Sequence, residues 1–228
     1  MKRRQIVMAA VLSFLIAFGI GFSAENAFAA GKKPGKVKYK TIRVISNTAS
    51  TLTLAWKKPA RATKYKVAYR KGKGKWRYVT VRSREKNVTQ TIYRLKSGRE
   101  YCIRIKAYNG KASSKWSKKL YVRPREISQY RESIGGGYYN WLFLKKSDGK
   151  KIKVEIGFYR LIGTDVIDAR FISKNKVRFT DEETRLSGTL TIKGDKVVLD
   201  LKEVQDYYFD LSLSEFINGL HHEFTLRK

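Results

Sequence analysis

Apolar and polar residues alternate in short runs along most of the chain, and this period of two predicts strands rather than helices. In residues 51–56, Leu52, Leu54 and Trp56 fall on one face. The run 100–107 repeats the pattern with charged residues on the opposite face. Strands of this kind are typical of antiparallel sheets that are solvated on one side. The runs are separated by Gly, Asn, Ser and Lys, which favour turns, so we expect an all-β protein.

Residues 37–124 predict a β-sandwich, and their motifs resemble a fibronectin type III domain. Trp56 stands in the second predicted strand, and residues 95–101 resemble the family's Leu-x-Pro-Gly-x-x-Tyr tyrosine corner. Ser97 replaces the usual proline. Residues 113–117, Ser-Ser-Lys-Trp-Ser, resemble half of the Trp-Ser-x-Trp-Ser motif of cytokine-receptor modules. The resemblance implies a bacterial secreted protein whose sandwich serves adhesion or spacing.

Residues 138–228 predict a second, smaller β domain. Six short strand-like runs, a helix over residues 213–220 capped by Ser212 or Ser214, and a closing strand suit an antiparallel barrel. The rhythm of strands and glycines weakly resembles lipocalin-like barrels. Three consecutive glycines end the preceding stretch, so we expect residues 125–137 to be a Gly-rich linker.

The N-terminus has the three parts of a secretory signal. Basic residues at positions 2–4 precede an apolar run over 6–22, and Ala-Phe-Ala at 27–29 matches a signal peptidase site. We expect a signal peptide over residues 1–29 and a basic linker over 30–36, with no stable membrane span after cleavage. The alternative is that the segment is kept as an anchor.

Charge is divided unequally between the two predicted domains. Residues 31–124 hold 29 basic and two acidic residues, whereas residues 125–228 hold 18 basic and 16 acidic ones. An exported, strongly cationic module is expected to meet anionic cell-envelope polymers or glycans, with nucleic acid less favoured and a protein partner also possible. We therefore expect a protein that is secreted and retained at the cell surface.

One face of the sandwich collects cations and aromatic rings. Period-two alternation turns these side chains outward, where cations pair with phosphate or sulfate and rings can stack on sugars or bases. The candidate polyanion- or glycan-binding residues are Lys64, Lys66, Arg70, Lys73, Trp76, Tyr78, Arg104, Lys106, Lys119 and Tyr121. The alternative is a merely cationic spacer, in which the charge aids solubility and Trp116 stacks structurally on Arg104.

No constellation of catalytic or metal-binding residues is found, so we expect neither an enzyme nor a cofactor. His221 and His222 are adjacent and would face opposite sides of a strand. A single cysteine, Cys102, excludes an intramolecular disulfide framework and is expected to be a partly shielded free thiol. Two further alternatives are a barrel that carries a small molecule or glycan with the sandwich as spacer, and an accessory protein of a glycan-directed enzyme.

Overall fold

The computed structural model describes residues 32–202, 212–217 and 219–227. The predicted signal peptide lies outside these residues. Within them the chain is nearly all β, with a single four-residue α-helix among seventeen strands. None of the described helices is long and apolar enough to cross a membrane.

The first unit is a sandwich of two antiparallel sheets. One sheet has the order β1-β2-β5, and the other has the order β4-β3-β6-β7, with β8 also paired to β6. A single 3-10 turn over Tyr39–Thr41 precedes them. The strands are β1 Arg43–Asn47, β2 Leu52–Lys57, β3 Lys64–Lys71, β4 Arg77–Arg82, β5 Asn87–Ile92, β6 Tyr101–Asn109, β7 Ala112–Ser113 and β8 Leu120–Val122.

The core of the sandwich confirms the two motifs on which the sequence resemblance rests. Trp56 is buried and meets the ring of Tyr65 edge-on, with ring centroids 5.4 Å apart. Tyr101 forms the tyrosine corner, because its hydroxyl accepts a hydrogen bond from the Lys96 amide at 2.9 Å. Burial raises the pKa of Tyr65 to about 12.

The second unit is a closed barrel of eight antiparallel strands. Each strand pairs with the next one along the chain, and β17 returns to β9, while the short β12 pairs with β11 beside the ring. This is an up-and-down barrel without a free edge among its eight strands. The strands are β9 Ile127–Ser133, β10 Tyr139–Lys145, β11 Lys151–Phe158, β12 Ile162–Gly163, β13 Ile167–Phe171, β14 Lys176–Thr180, β15 Ser187–Lys193, β16 Lys196–Leu201 and β17 His221–Leu226. The resemblance to lipocalin-like barrels stays a prediction.

The prediction of a linker over residues 125–137 is wrong. Residues 127–133 form β9, which pairs with both β10 and β17 and closes the barrel. Its inward Ser128 and Tyr130 alternate with polar Gln129 and Arg131, so too few apolar residues mark the strand in the sequence. The three glycines make the β9–β10 hairpin turn, where all three have positive φ.

The barrel interior is occupied by apolar side chains. Inward positions on all eight strands contribute to one buried cluster, which includes Tyr130, Phe158, Phe179 and Phe224. This packing argues against a hollow barrel as a ligand pocket. The helix α1, Leu213–Phe216, is shorter than the predicted 213–220, because Gly219 has a φ of +104° that a helix cannot continue through. Ser212 caps it as expected.

The two units share a polar interface centred on Ala49 in the β1–β2 turn. Ala49 is fully buried and belongs to the barrel's core cluster. Its amide donates to the Ser128 hydroxyl at 2.8 Å, and its carbonyl accepts from the Ser97 hydroxyl at 2.6 Å. Ser97 also donates its amide to the Ser147 carbonyl at 2.9 Å and accepts from the Ser147 amide at 2.7 Å. These bonds tie the sandwich to one end of the barrel.

Further contacts between the two units lie beside this interface. The Arg94 guanidinium donates to the Gly149 carbonyl at 2.9 Å and lies 5.5 Å from the Phe171 ring. A Cβ at Gly149 would stand 2.7 Å from the Arg94 carbonyl oxygen, so only glycine fits. Lys174 of the barrel lies 4.9 Å from the ring of Tyr93.

Candidate functional site

The outer face of the β4-β3-β6 sheet brings together most of the predicted site residues. Lys66 on β3 pairs directly with Lys106 on β6, and Ala68 pairs with both Arg104 and Tyr78. Because residues in register share a face, the outward positions of the three strands form one continuous surface. We call this surface, with the indoles of Trp76 and Trp116 that lie on it, the cationic face.

Arginine and tryptophan alternate in a ladder across the cationic face. The Arg104 guanidinium lies between two indoles, 4.2 Å from the Trp76 centroid and 4.5 Å from the Trp116 centroid. The Arg70 guanidinium also lies 4.6 Å from the Trp76 centroid, and the Lys106 ammonium lies 5.7 Å from the Trp116 centroid. Cation–π contacts of this kind hold long, flexible side chains in place. The stacking of Trp116 on Arg104, which was expected for a merely cationic spacer, is confirmed.

Trp116 is positioned by two serines that bind the edge of β6. Ser114 exchanges hydrogen bonds with Ala107, its amide donating to the carbonyl at 2.9 Å and its hydroxyl accepting from the amide at 3.0 Å. Ser117 makes the same pair of bonds with Ile105, at 2.8 and 2.9 Å. The half motif in the sequence therefore has a physical role, which is to lay the segment that carries Trp116 along β6.

A second group of rings and lysines continues the cationic face. Lys66 lies 5.2 Å from the ring of Tyr78, which is 52% exposed. Lys64 and Lys106 lie 5.3 and 5.8 Å from Tyr108. Tyr108 was not among the predicted site residues, although its position on β6, two residues after Lys106, places it on the same face.

Three predicted site residues lie at the margins. Lys73 is in the β3–β4 loop, and Lys119 is exposed just before β8. Tyr121 pairs with Cys102 across β8 and β6, and interaction with the thiol raises the pKa of the exposed Tyr121 hydroxyl. The expectation of a partly shielded thiol is wrong, because Cys102 is buried and only 3% exposed.

The cations of this face have rings rather than carboxylates as partners. Among the described residues, no carboxylate lies within 4.0 Å of Arg70, Arg104, Lys64, Lys66 or Lys106. The Nε atoms of both arginines are shielded from solvent and have no hydrogen-bond partner in the described part of the chain. Unpaired positive charge that is held in place can receive an oxyanion without first breaking an ion pair.

The sequence of this unit matches one known family. The model of the fibronectin type III domain matches residues 36–123. Residues 36–123 are a fibronectin type III domain. Such a domain is a binding or scaffold module.

Two examples show how solved structures resemble the chain. The fn3 domain of human collagen alpha-1(XX) chain is 22% identical over 42% of this chain and 88% of that one, with a TM-score of 0.32. The FN1-FN3 domains of chicken CNTN1 are 9% identical over 86% of this chain and 89% of that one, with a TM-score of 0.35.

A groove near the N-terminal end of the type III domain adds more positive charge. It has a volume of about 850 Å³. Its lining consists of residues 35–41, residues 57–60 at the end of β2 and beyond it, and Lys118. Among the residues that the structure describes, no acidic side chain lines it. We call it the lysine groove after its charged residues, Lys36, Lys38, Lys40, Lys57, Lys58 and Lys118. These residues were not predicted as a site, although the first three occupy alternate positions in the sequence.

The two histidines of the barrel have separate carboxylate partners. His221 is exposed and lies 2.7 Å from Asp200, whereas His222 is buried, with Nδ1 2.8 Å from Glu132 and Nε2 3.0 Å from the Gly219 carbonyl. Burial opposes ionisation of Glu132, but hydrogen bonds from His222 and nearby donors outweigh it and hold the pKa of this carboxyl below its usual range. In the described residues no group of three or more His, Cys, Asp or Glu side chains could hold a metal ion.

Proposed function

We propose that the chain is an exported, non-enzymatic binding protein whose cationic face attaches to an anionic polymer of the cell envelope. The observation that carries this proposal is the ladder of Arg70, Trp76, Arg104 and Trp116, in which the cations are fixed by rings and have no acidic partner among the described residues. Phosphodiester or sulfate groups along a polymer would supply the missing negative charge.

The export and surface location rest on the predicted signal peptide. An intact-mass measurement of the protein taken from the producing cells tests this part of the proposal. Loss of residues 1–29 is expected, and an unprocessed mass would contradict it. The lysine groove supports retention at the surface, because it extends the positive charge of the domain toward a second region that a long polymer can contact.

The binding experiment is co-sedimentation of the mature protein with bacterial cell walls, with and without their teichoic acid, at low and high salt. Binding is expected to require the anionic polymer and to disappear at high salt, because the contacts are electrostatic. Binding that is indifferent to both salt and polymer would refute the proposal, and so would no binding at all.

A pair of double variants with equal charge changes locates the contact. R70A with R104A removes two ladder cations and is expected to weaken binding at least about tenfold and to reduce the salt dependence. R170A with R178A removes two exposed arginines from the barrel and should leave binding unchanged. Equal losses from both pairs would show that only total charge matters, as expected for a cationic spacer.

A further inference from the structure

Three aromatic side chains form a stripe on the outside of the barrel. Tyr139, Trp141 and Phe143 occupy alternate positions of β10, whereas Leu142 and Leu144 point into the core. Tyr139 is 40% exposed, and the other two rings are partly exposed. The ring centroids of Trp141 and Phe143 are 5.6 Å apart. Large apolar rings on the outer face of a closed barrel have no core to fill, so their position calls for an explanation.

The Trp141 indole lies against a floor made of glycine. Gly157 on β11 pairs with Trp141, and a Cβ there would stand only 2.1 Å from the indole. Gly163, which pairs with Gly157, would place a Cβ 3.5 Å from the same ring. Two adjacent glycines therefore let the indole lie close against the sheet. A ring held in this way is a rigid platform that loses little conformational entropy when a ligand stacks on it.

One unpaired cation and one ion pair border the stripe. Arg131 pairs with Trp141 across β9 and β10 and lies 5.1 Å from the ring of Tyr139. Lys145 forms an ion pair with Glu155 and lies 5.2 Å from the Phe143 ring. The cationic face of the type III domain has no such internal pairing. The stripe therefore has one uncompensated positive charge beside it, whereas the cationic face has several.

We propose that the aromatic stripe of Tyr139, Trp141 and Phe143 binds a neutral polysaccharide in an extended conformation. The C–H faces of pyranose rings stack on aromatic rings, and guanidinium and carboxylate groups at the border can bind the hydroxyls at the sugar's edge. Rings at alternate positions of a single strand lie in a line, which suits successive sugars of a straight chain better than a compact ligand. This site is separate from the cationic face and does not depend on the proposed function of that face.

The experiment is isothermal titration of the mature full chain with three neutral hexasaccharides: cellohexaose, chitohexaose and maltohexaose. We expect binding to at least one of the two extended β-1,4-linked hexasaccharides and weaker binding to the coiled α-linked one. Because the ligand is uncharged, the affinity should not change between low and high salt. This salt independence distinguishes the site from the cationic face, so failure of one proposal leaves the other testable.

Variants of the stripe and a matched control complete the test. W141A and Y139A should each weaken binding, W141A by about tenfold or more, as expected for loss of one well-packed ring. Y139A changes only an exposed ring, so it keeps the test valid if W141A folds poorly. I172A removes an exposed apolar side chain from the turn between β13 and β14 and should leave sugar affinity unchanged. The proposal is overturned if no hexasaccharide binds, if both stripe variants keep full affinity, or if the stripe instead mediates self-association of the chain.

Discussion

Replacing Ser97 by the proline that the type III family usually carries at this corner is expected to destabilise the protein, although a change toward a family's usual residue often stabilises. A proline placed in a compatible turn stabilises an ordinary domain by about 0.4–1 kcal/mol, because it restricts the unfolded chain. Here the position has a second task. Ser97 makes three hydrogen bonds at the interface with the barrel, and proline can make none of them.

The size of the effect follows from what the substitution leaves unpaired. S97P removes the hydroxyl bonds to the Ala49 carbonyl and the Ser147 amide, together with the amide bond to the Ser147 carbonyl. Ala49 and Ser147 are buried, with exposures of 0% and 5%. A buried polar group that loses its partner costs about 1–3 kcal/mol, so three such groups, less the gain from proline, predict a net loss of about 2–8 kcal/mol. For a chain of this size, the corresponding fall in Tm is on the order of 10 °C.

Thermal unfolding followed by near-UV circular dichroism measures the change, with S97A as the graded control. S97A keeps the amide bond to Ser147 and loses only the two hydroxyl bonds, so it should fall between the wild type and S97P. We also expect the melting of the sandwich and the barrel to separate in S97P, because the interface that couples them is weakened. If S97P is as stable as the wild type or more stable, the Ser97 hydrogen bonds do not stabilise the interface between the two units.

Three further predictions concern other parts of the molecule. G149A should cost about 2 kcal/mol more than G110A, because both glycines have positive φ but only Gly149 faces a carbonyl of the other unit; equal losses in urea unfolding would contradict this. The lowered pKa of Glu132 contributes stability above its ordinary value near 4.5 that is lost as pH falls through the folded-state value, so E132Q should flatten the acid limb of urea midpoints measured from pH 3 to 7. Y121A should make the buried Cys102 react about tenfold faster with a disulfide reagent, whereas an unchanged rate would show that Tyr121 does not cover the thiol.

The fold was predictable where local chemistry and burial agree. Trp56 and Tyr101 each belong to a short sequence pattern that lies within or beside one strand, so both could be identified from local sequence. The family match over residues 36–123 agrees with the predicted bounds 37–124 to within one residue at each end. Strand β9 was not predictable, because Ser128 and Gln129 alternate without apolar contrast. Its pairing to β17 depends on closure of the barrel, which is a property of eight strands together and cannot be seen in a single segment.

The cationic face was predictable because register follows from alternation in neighbouring strands. The family topology places β3 beside β6, and the same-face positions Lys66 and Lys106 then meet directly. The lysine groove was not predictable in the same way, since it joins residues 35–41 to Lys57, Lys58 and Lys118 through tertiary packing. Nor could the sequence show why Ser97 replaces proline, because its partners lie in the other unit.

The unequal division of charge has a consequence for how the two proposed sites can work together. Two strongly cationic domains in close contact would repel each other. The barrel unit instead holds nearly equal numbers of acidic and basic residues, and Lys145, Lys153 and Lys196 form ion pairs within it. The bonds at Ala49 are made by hydroxyl and amide groups, and the charged Arg94 and Lys174 contact carbonyl and ring partners beside them rather than other charges. If both proposals hold, binding at the cationic face would be sensitive to salt and binding at the aromatic stripe would not. Rising ionic strength should release the first contact while the second persists, and a chain that binds both kinds of polymer would respond in two steps rather than one.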